Sequence, residues 1–177
     1  RNFVHLLGKL RSYSAKFIYA SSSSVYGNID LRNVDETCST YEPNNAYDLS
    51  KQQIDDYAKL SHQNFYGLRF GTVNGPSPNF RSDVMINAMC TSAKNHGKVV
   101  LFNPEINRPI LGINDLCRAV SAIISDKKEN GRKIYNLASF NLTAKEIAEA
   151  VAKVADVPLE IHDTPPDIIS NVKLQSK

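Results

Sequence analysis

With 177 residues, 42% of them hydrophobic, the chain is long enough to bury one core, and a net charge of +3 is too mild to mark a nucleic-acid binder. No apolar run approaches the roughly 20 residues of a membrane span, and Arg1 to Lys9 lacks a signal-peptide pattern, which suits a cytoplasmic protein with neither membrane nor nucleic-acid partners. Three distant cysteines, Cys38, Cys90 and Cys117, exclude a disulfide framework, and with four dispersed histidines they leave no metal site and no Ser/His nucleophile.

In chain order, Phe3, Leu6, Leu7 and Leu10 recur at helical spacing, so a helix is expected over 2–13, already under way at its start. A strand over 16–20 runs into the serines Ser21 to Ser24, a loop continues to Glu42, and a helix over 45–62 precedes a strand over 65–71. A Gly/Pro/Asn-rich loop from Thr72 to Asn79 leads to a helix over 83–94, short strands near 98–102 and 109–113, and a helix from Asn114 or Asp115. Leu116, Ala119, Val120 and Ile123 of that helix form an expected buried stripe. A strand over 134–138 follows, and Thr143 with Glu146 three residues on is a capping box opening a helix whose Ile147, Ala150, Val151 and Val154 read as core. Cys90 and Cys117 read as small core residues on their helices. Beyond Val157-Pro158 the composition, with Pro165-Pro166, suggests less order. The alternation of strand and helix argues an α/β fold with a mostly parallel sheet.

The chemistry concentrates in two segments. Tyr47 and Lys51 lie four apart in P-N-N-A-Y-D-L-S-K, so on a helix they share a face and the ammonium sits near the phenol, favouring its ionised form. A proline four residues before the tyrosine, a serine directly before the lysine, and a serine run at the carboxyl end of a strand lift this pair above a chance exposed one. The carboxyl ends of strands are where doubly wound sheets place ligands.

These residues resemble the extended short-chain dehydrogenase/reductase family, in particular its NAD-dependent epimerase/dehydratase branch acting on nucleotide sugars. The resemblance covers nearly the whole chain. It runs through Lys16-Phe17-Ile18-Tyr19-Ala20 and S-S-S-S-V-Y-G, Asp35-Glu36 before Pro43, Leu68-Arg69-Phe70 to Asn74-Gly75-Pro76, Arg108 to Asp115, and Ile134-Tyr135-Asn136-Leu137-Ala138. It implies an incomplete Rossmann-like doubly wound parallel sheet with a small C-terminal substrate-binding region. Residues 1–75 would be the latter half of the NAD-binding domain with the active-site helix. Residues 76–177 would be a mixed substrate-binding region, with strand 134–138 returning to the core sheet. The family's G-x-x-G-x-x-G turn, which holds the cofactor pyrophosphate at a helix start, is not formed by the glycines at 8, 27, 67, 71, 75, 97, 112 and 131. The chain is therefore expected to be an N-terminal truncation with doubtful activity on its own, and the residue selecting NAD over NADP would lie in the other half.

By the same resemblance, Ser22, Tyr47 and Lys51 would be catalytic. Ser21, Tyr47, Lys51 and Phe70 would contact the cofactor, Phe70 through its backbone. Ser22, Ser23, Thr72, Asn74, Arg81 and Arg108 would contact the substrate, Arg108 at the diphosphate, where a guanidinium suits bidentate phosphate contact. Arg81 reads equally as an exposed cation at a helix start. Ser23 and Ser24 stand where dehydratase members carry an acidic pair, which argues against dehydration. The expected activity is nucleotide-sugar epimerisation through transient oxidation to a keto-sugar. Two other readings stay open: an NAD(P)-dependent reductase or dehydrogenase of a sugar or other alcohol, and a non-catalytic nucleotide- or partner-binding fragment. A homodimer through the tyrosine-bearing helix is compatible, with Ile54 and Tyr57 as either interface or core.

Overall fold

The structure is a computed structural model and describes residues 2–10, 13, 15–27, 33–39, 41–60, 64–126, 132–162 and 173–174. Its centre is a parallel sheet in the order β1 (Phe17–Ser22), β3 (Phe65–Phe70), β7 (Arg132–Leu137). The middle strand is buried at five successive positions, as expected for a parallel strand covered on both faces. Gly67 sits at its midpoint opposite Tyr19, and a Cβ there would lie 2.4 Å from the tyrosine oxygen, so only glycine lets that ring cross the strand.

Helices α1 (Asn2–Leu10) and α2 (Ala46–Leu60) pack on this sheet. Leu7, Tyr19, Ala58 and Phe65 form the core between them, and Ile54 and Tyr57 pack against it. Helix α1 is described over Asn2–Leu10, and Tyr13, expected within it, is a bend whose N–H donates to the Leu10 carbonyl at 2.9 Å, while residues 11 and 12 lie outside the described residues. Between β1 and α2, a 3-10 helix (Ser23–Tyr26) buries Val25 and Tyr26 and ends at Gly27. Gly27 has φ of +64° and forms a bridge to Glu42, whose carbonyl oxygen would lie 1.7 Å from any Cβ. This close approach brings the lead-in to α2 against the serine turn. A two-residue pairing joins β2 (Asn33–Val34) to β10 (Lys173–Leu174).

A second sheet has β6 (Asn107–Gly112) between β4 (Thr72–Asn74), parallel, and β8 (Phe140–Thr143), antiparallel. Beside it, β5 (Val99–Phe102) pairs with β9 (Leu159–His162). Helices α3 (Met85–His96) and α5 (Ala144–Ala155) close a core of Met89, Val99, Leu101, Ile110, Ile147 and Ala148. The capping box on α5 is present: Glu146 N–H donates to Thr143 Oγ1 at 3.1 Å and Thr143 N–H to Glu146 Oε2 at 2.7 Å.

Several expectations are corrected. Residues 72–74 form a strand rather than a loop, because β6 offers them an open backbone edge. Residues 159–162 are likewise strand, with Val99 N–H donating to the Pro158 carbonyl and Lys98 Nζ reaching Glu160 at 2.8 Å, while Pro165-Pro166 lies outside the described residues. Helix α4 (Ile113–Ser125) leaves its apolar stripe half-buried beside an open groove floored by Tyr66, Leu68, Tyr135 and Leu137. Cys90 and Cys117 are exposed rather than core, and Val154 is 89% exposed at the outer end of the α5 stripe. An amphipathic stripe is wider than the surface that covers it here.

Candidate active site

The first arm of the site is the end of β1. Ser22 has extended backbone, φ −144° and ψ 143°, and its Oγ caps the 3-10 helix by accepting from Ser24 N–H at 3.2 Å, with Ser24 Oγ 2.8 Å away. The second arm is the first turn of α2. Asn45 precedes the helix and accepts from Asp48 N–H at 2.9 Å, while its own amide donates to Asp48 Oδ2 at 2.9 Å and Asn44 N–H adds a third bond at 3.2 Å. Orphan donors at the helix start are thus satisfied around a buried carboxylate, and the turn holding Tyr47 is fixed. Lys51, one turn on, donates from Nζ to the Ala20 carbonyl of β1 at 2.8 Å and lies 5.5 Å from the centre of the Tyr47 ring.

Both arms open on one cavity of about 710 Å³ at the carboxyl ends of β1 and β3. Ser21, Ser22, Tyr47 and Lys51 line it from β1 and α2, Phe70, Thr72 and Asn74 from the β3–β4 segment, and Arg81 and Arg108 complete the lining. Ser23 lies outside it, on an adjoining pocket of about 270 Å³ shared with Ser22, Tyr47, Phe70, Thr72 and Arg108. All the residues singled out from the sequence thus border two contiguous spaces. Tyr47 is 57% exposed and faces open space.

Several of the lining residues are polar. Burial pulls the Arg108 guanidinium below the usual arginine range. Arg81 forks onto Asp83, with Nε to Oδ1 at 3.1 Å and Nη2 to Oδ2 at 2.5 Å, which raises the arginine and lowers the carboxylate. Asn74 donates to the Thr72 carbonyl at 2.7 Å, leaving its buried Oδ1 without a hydrogen-bond partner among the described residues. Ser21 also lines the cavity, and its buried Oγ likewise has no hydrogen-bond partner among the described residues.

Sequence reasoning missed the Ala20 carbonyl that receives Lys51, the Asn45–Asp48 cap, and a buried polar group behind the site built on Asp55 and Arg69. The cap was detectable as an N-x-x-D pair at a helix start. Asp55 continues the Tyr47–Lys51 spacing by one more turn. Asn87 and Met85 on α3 also line the cavity and carried no motif.

A parallel α/β sheet with a cavity beyond the carboxyl ends of its strands, bordered by a helix bearing Tyr-x-x-x-Lys, places the chain in the Rossmann-like α/β class. The sequence profile of the NAD dependent epimerase/dehydratase family matches residues 2–138, and the chain belongs to that family. Among solved structures, it is similar to the Helicobacter pylori ADP-L-glycero-D-manno-heptose-6-epimerase, with 28% identity and a TM-score of 0.81 over 99% of this chain and 56% of that one. It is similar in fold to dTDP-glucose 4,6-dehydratase from Bacillus anthracis in complex with NAD, at 21% identity, TM-score 0.79, and 96% and 57% coverage. The Thermus thermophilus UDP-glucose 4-epimerase complex with NAD matches at 21% identity and TM-score 0.75, over 98% of this chain and 59% of that one. The chain therefore spans somewhat more than half the length of these proteins. No helix among the described residues is long and apolar enough to cross a membrane, and no group of His, Cys, Asp and Glu among them could hold a metal ion.

Proposed function

We propose that the full-length protein is an NAD-dependent nucleotide-sugar epimerase in which Tyr47, Lys51 and Ser22 are the reacting groups. The observation that carries this reading is that one cavity is bordered by all three, with Lys51 anchored to the Ala20 carbonyl beside the Tyr47 ring. Residues 1–75 would supply the cofactor side of the site and residues 76–177 the substrate side.

The residues present fit the nicotinamide end of the cofactor. Ser21, whose buried Oγ is unsatisfied, and Lys51 line the cavity with Phe70, the β3 residue in register with Ser22. Ser21, Tyr47, Lys51 and Phe70 are the residues that would hold it, and NAD would supply a reversible hydride acceptor there. Tyr47 takes the proton of a sugar hydroxyl as the carbon bearing it loses hydride, so the alcohol becomes a ketone. Ser22 Oγ hydrogen-bonds that oxygen, and Lys51 places positive charge beside the phenol. Arg108, with Arg81 also lining the cavity, holds the diphosphate while the keto-sugar turns over. Return of hydride to the other face and of the proton from Tyr47 inverts the centre with no net redox change. Ser23 and Ser24 provide no acid for loss of water, which sets epimerisation ahead of dehydration.

The test is product analysis of the full-length protein with NAD and dTDP-glucose, UDP-glucose or ADP-heptose. Epimeric product without accumulated NADH supports the reading; NADH rising in step with substrate loss would replace it by a dehydrogenase.

A further inference from the structure

The largest fully buried side chain among the described residues is a cation, Arg69. It lies on β3 one residue before Phe70, at 1% exposure, and contributes no atom to the cavity. Its three nitrogens go to three different elements. Nε donates to Asp55 Oδ2 of α2 at 2.8 Å, Nη1 to Tyr26 Oη of the 3-10 helix at 2.7 Å, and Nη2 to Tyr41 Oη of the lead-in to α2 at 3.1 Å. The guanidinium carbon lies 4.8 Å from the Tyr26 ring centre and 5.2 Å from that of Tyr41.

The partners extend the same net. Tyr19 of β1 donates to Asp55 Oδ1 at 3.0 Å, and Tyr26 donates to Asn136 Oδ1 of β7 at 2.9 Å. Burial, with Asp55 alongside, pushes the Tyr19 phenol far up, so it stays a donor. Burial works against the Arg69 charge, but Tyr26 and Asp55 outweigh it and hold the guanidinium above its ordinary range.

Asp55 stands one turn beyond Lys51 and two beyond Tyr47 on α2, so an ion pair at Asp55 sets the rotation of the helix that aims both. Tyr26 closes the turn that Ser22 opens. We propose that Arg69 is a positioning residue, a single buried fork that fixes the Ser22 turn and the Tyr47–Lys51 helix in one frame on β3. Stability alone does not account for such a group, since well-packed hydrophobic residues commonly replace a buried ion pair without loss. A planar fork with three differently placed acceptors fixes geometry in a way that apolar packing does not. The inference rests on the proposed reading only where it takes Tyr47 as the base.

The experiment compares, in the full-length protein with NAD, the double variant Asp55→Leu/Arg69→Met, which removes both charges of this pair, with Arg69→Lys, which keeps the charge without the fork. Each is crystallised and assayed on whichever of dTDP-glucose, UDP-glucose and ADP-heptose the parent turns over. The expected result is a retained fold in which the Lys51–Ala20 hydrogen bond opens beyond bonding range, with kcat down roughly tenfold or more and KM nearly unchanged. Arg69→Lys is expected to lose kcat to a similar extent. Variants that keep the Lys51–Ala20 bond and the parental kcat, with only the melting temperature altered, overturn the proposal. Should the double variant not fold, an unchanged kcat in Arg69→Lys overturns it equally. Turnover surviving in Tyr47→Phe would instead sink the functional reading, leaving the crystallographic comparison to decide the role of Arg69.

Discussion

Lys51 Nζ donates to the carbonyl of Ala20 at 2.8 Å, which ties the second turn of α2 to the strand that ends in the serine turn. The lysine is thereby held between β1 and the Tyr47 ring rather than ranging through solvent. Replacing it with methionine keeps the apolar stem and removes both the tie and the charge. The expected outcome is a fall in kcat of about 10²–10⁴, the range for a positioned proton-transfer group, with weaker cofactor binding. Steady-state kinetics at varied NAD and substrate check both parts.

Tyr47 is more than half exposed, and its ring stands over the cavity rather than in a core. Tyr47→Phe therefore removes one hydroxyl and little packing. Turnover is expected to fall by a comparable factor of roughly 10²–10⁴, while unfolding free energy stays within about 0.5 kcal/mol, as for surface substitutions. Urea unfolding beside the activity assay separates the two. A large stability loss would mean that the ring packs in a way this structure lacks.

The Tyr47–Lys51 pair and the Thr143–Glu146 cap were legible because both are local: helical spacing alone brings the partners together. What escaped depends on the far partner. Whether Thr72–Asn74 or Leu159–His162 forms a strand is decided by the open edges of β6 and β5, which no window around those residues contains. The same holds for Arg69. Flanked by Leu68 and Phe70, it marks a charged residue in a buried strand, but Asp55, Tyr26 and Tyr41 become its neighbours only after β3 inserts between β1 and β7. Burial of Cys90 and Val154 was over-read because periodicity gives the face of a helix and not how far its neighbours reach across it.

Gly67 provides a stability test. A methyl group there would meet Tyr19 Oη at 2.4 Å and Cζ at 2.6 Å, and Tyr19 is held by its bond to Asp55. Gly67→Ala must displace the ring or the strand, so overpacking is expected to cost about 1–3 kcal/mol. Chemical unfolding measures it. A neutral result would mean that Tyr19 swings away freely and that its bond to Asp55 carries little.

Asp115 provides a pH test. Its carboxylate accepts from Ser139 Oγ and pairs with Arg118, and Ser139 Oγ in turn accepts from Gly112 N–H at 2.8 Å, the residue that caps α4. The Ser139 hydrogen bond first, and the Arg118 bond second, hold the Asp115 carboxyl below the usual aspartate range. A carboxyl whose folded pKa is depressed binds protons more readily in the unfolded chain. Its stabilising contribution is therefore complete above the unfolded value, about 3.9, and disappears as pH falls through the lower folded value. Asp115→Asn removes that titration, so its unfolding free energy should decline less steeply than the parent's as pH drops below about 4. The comparison is a series of urea midpoints across the acid range. Parallel slopes would show that solvent screens the link between the β7–β8 turn and the start of α4, and that this carboxylate does not couple them.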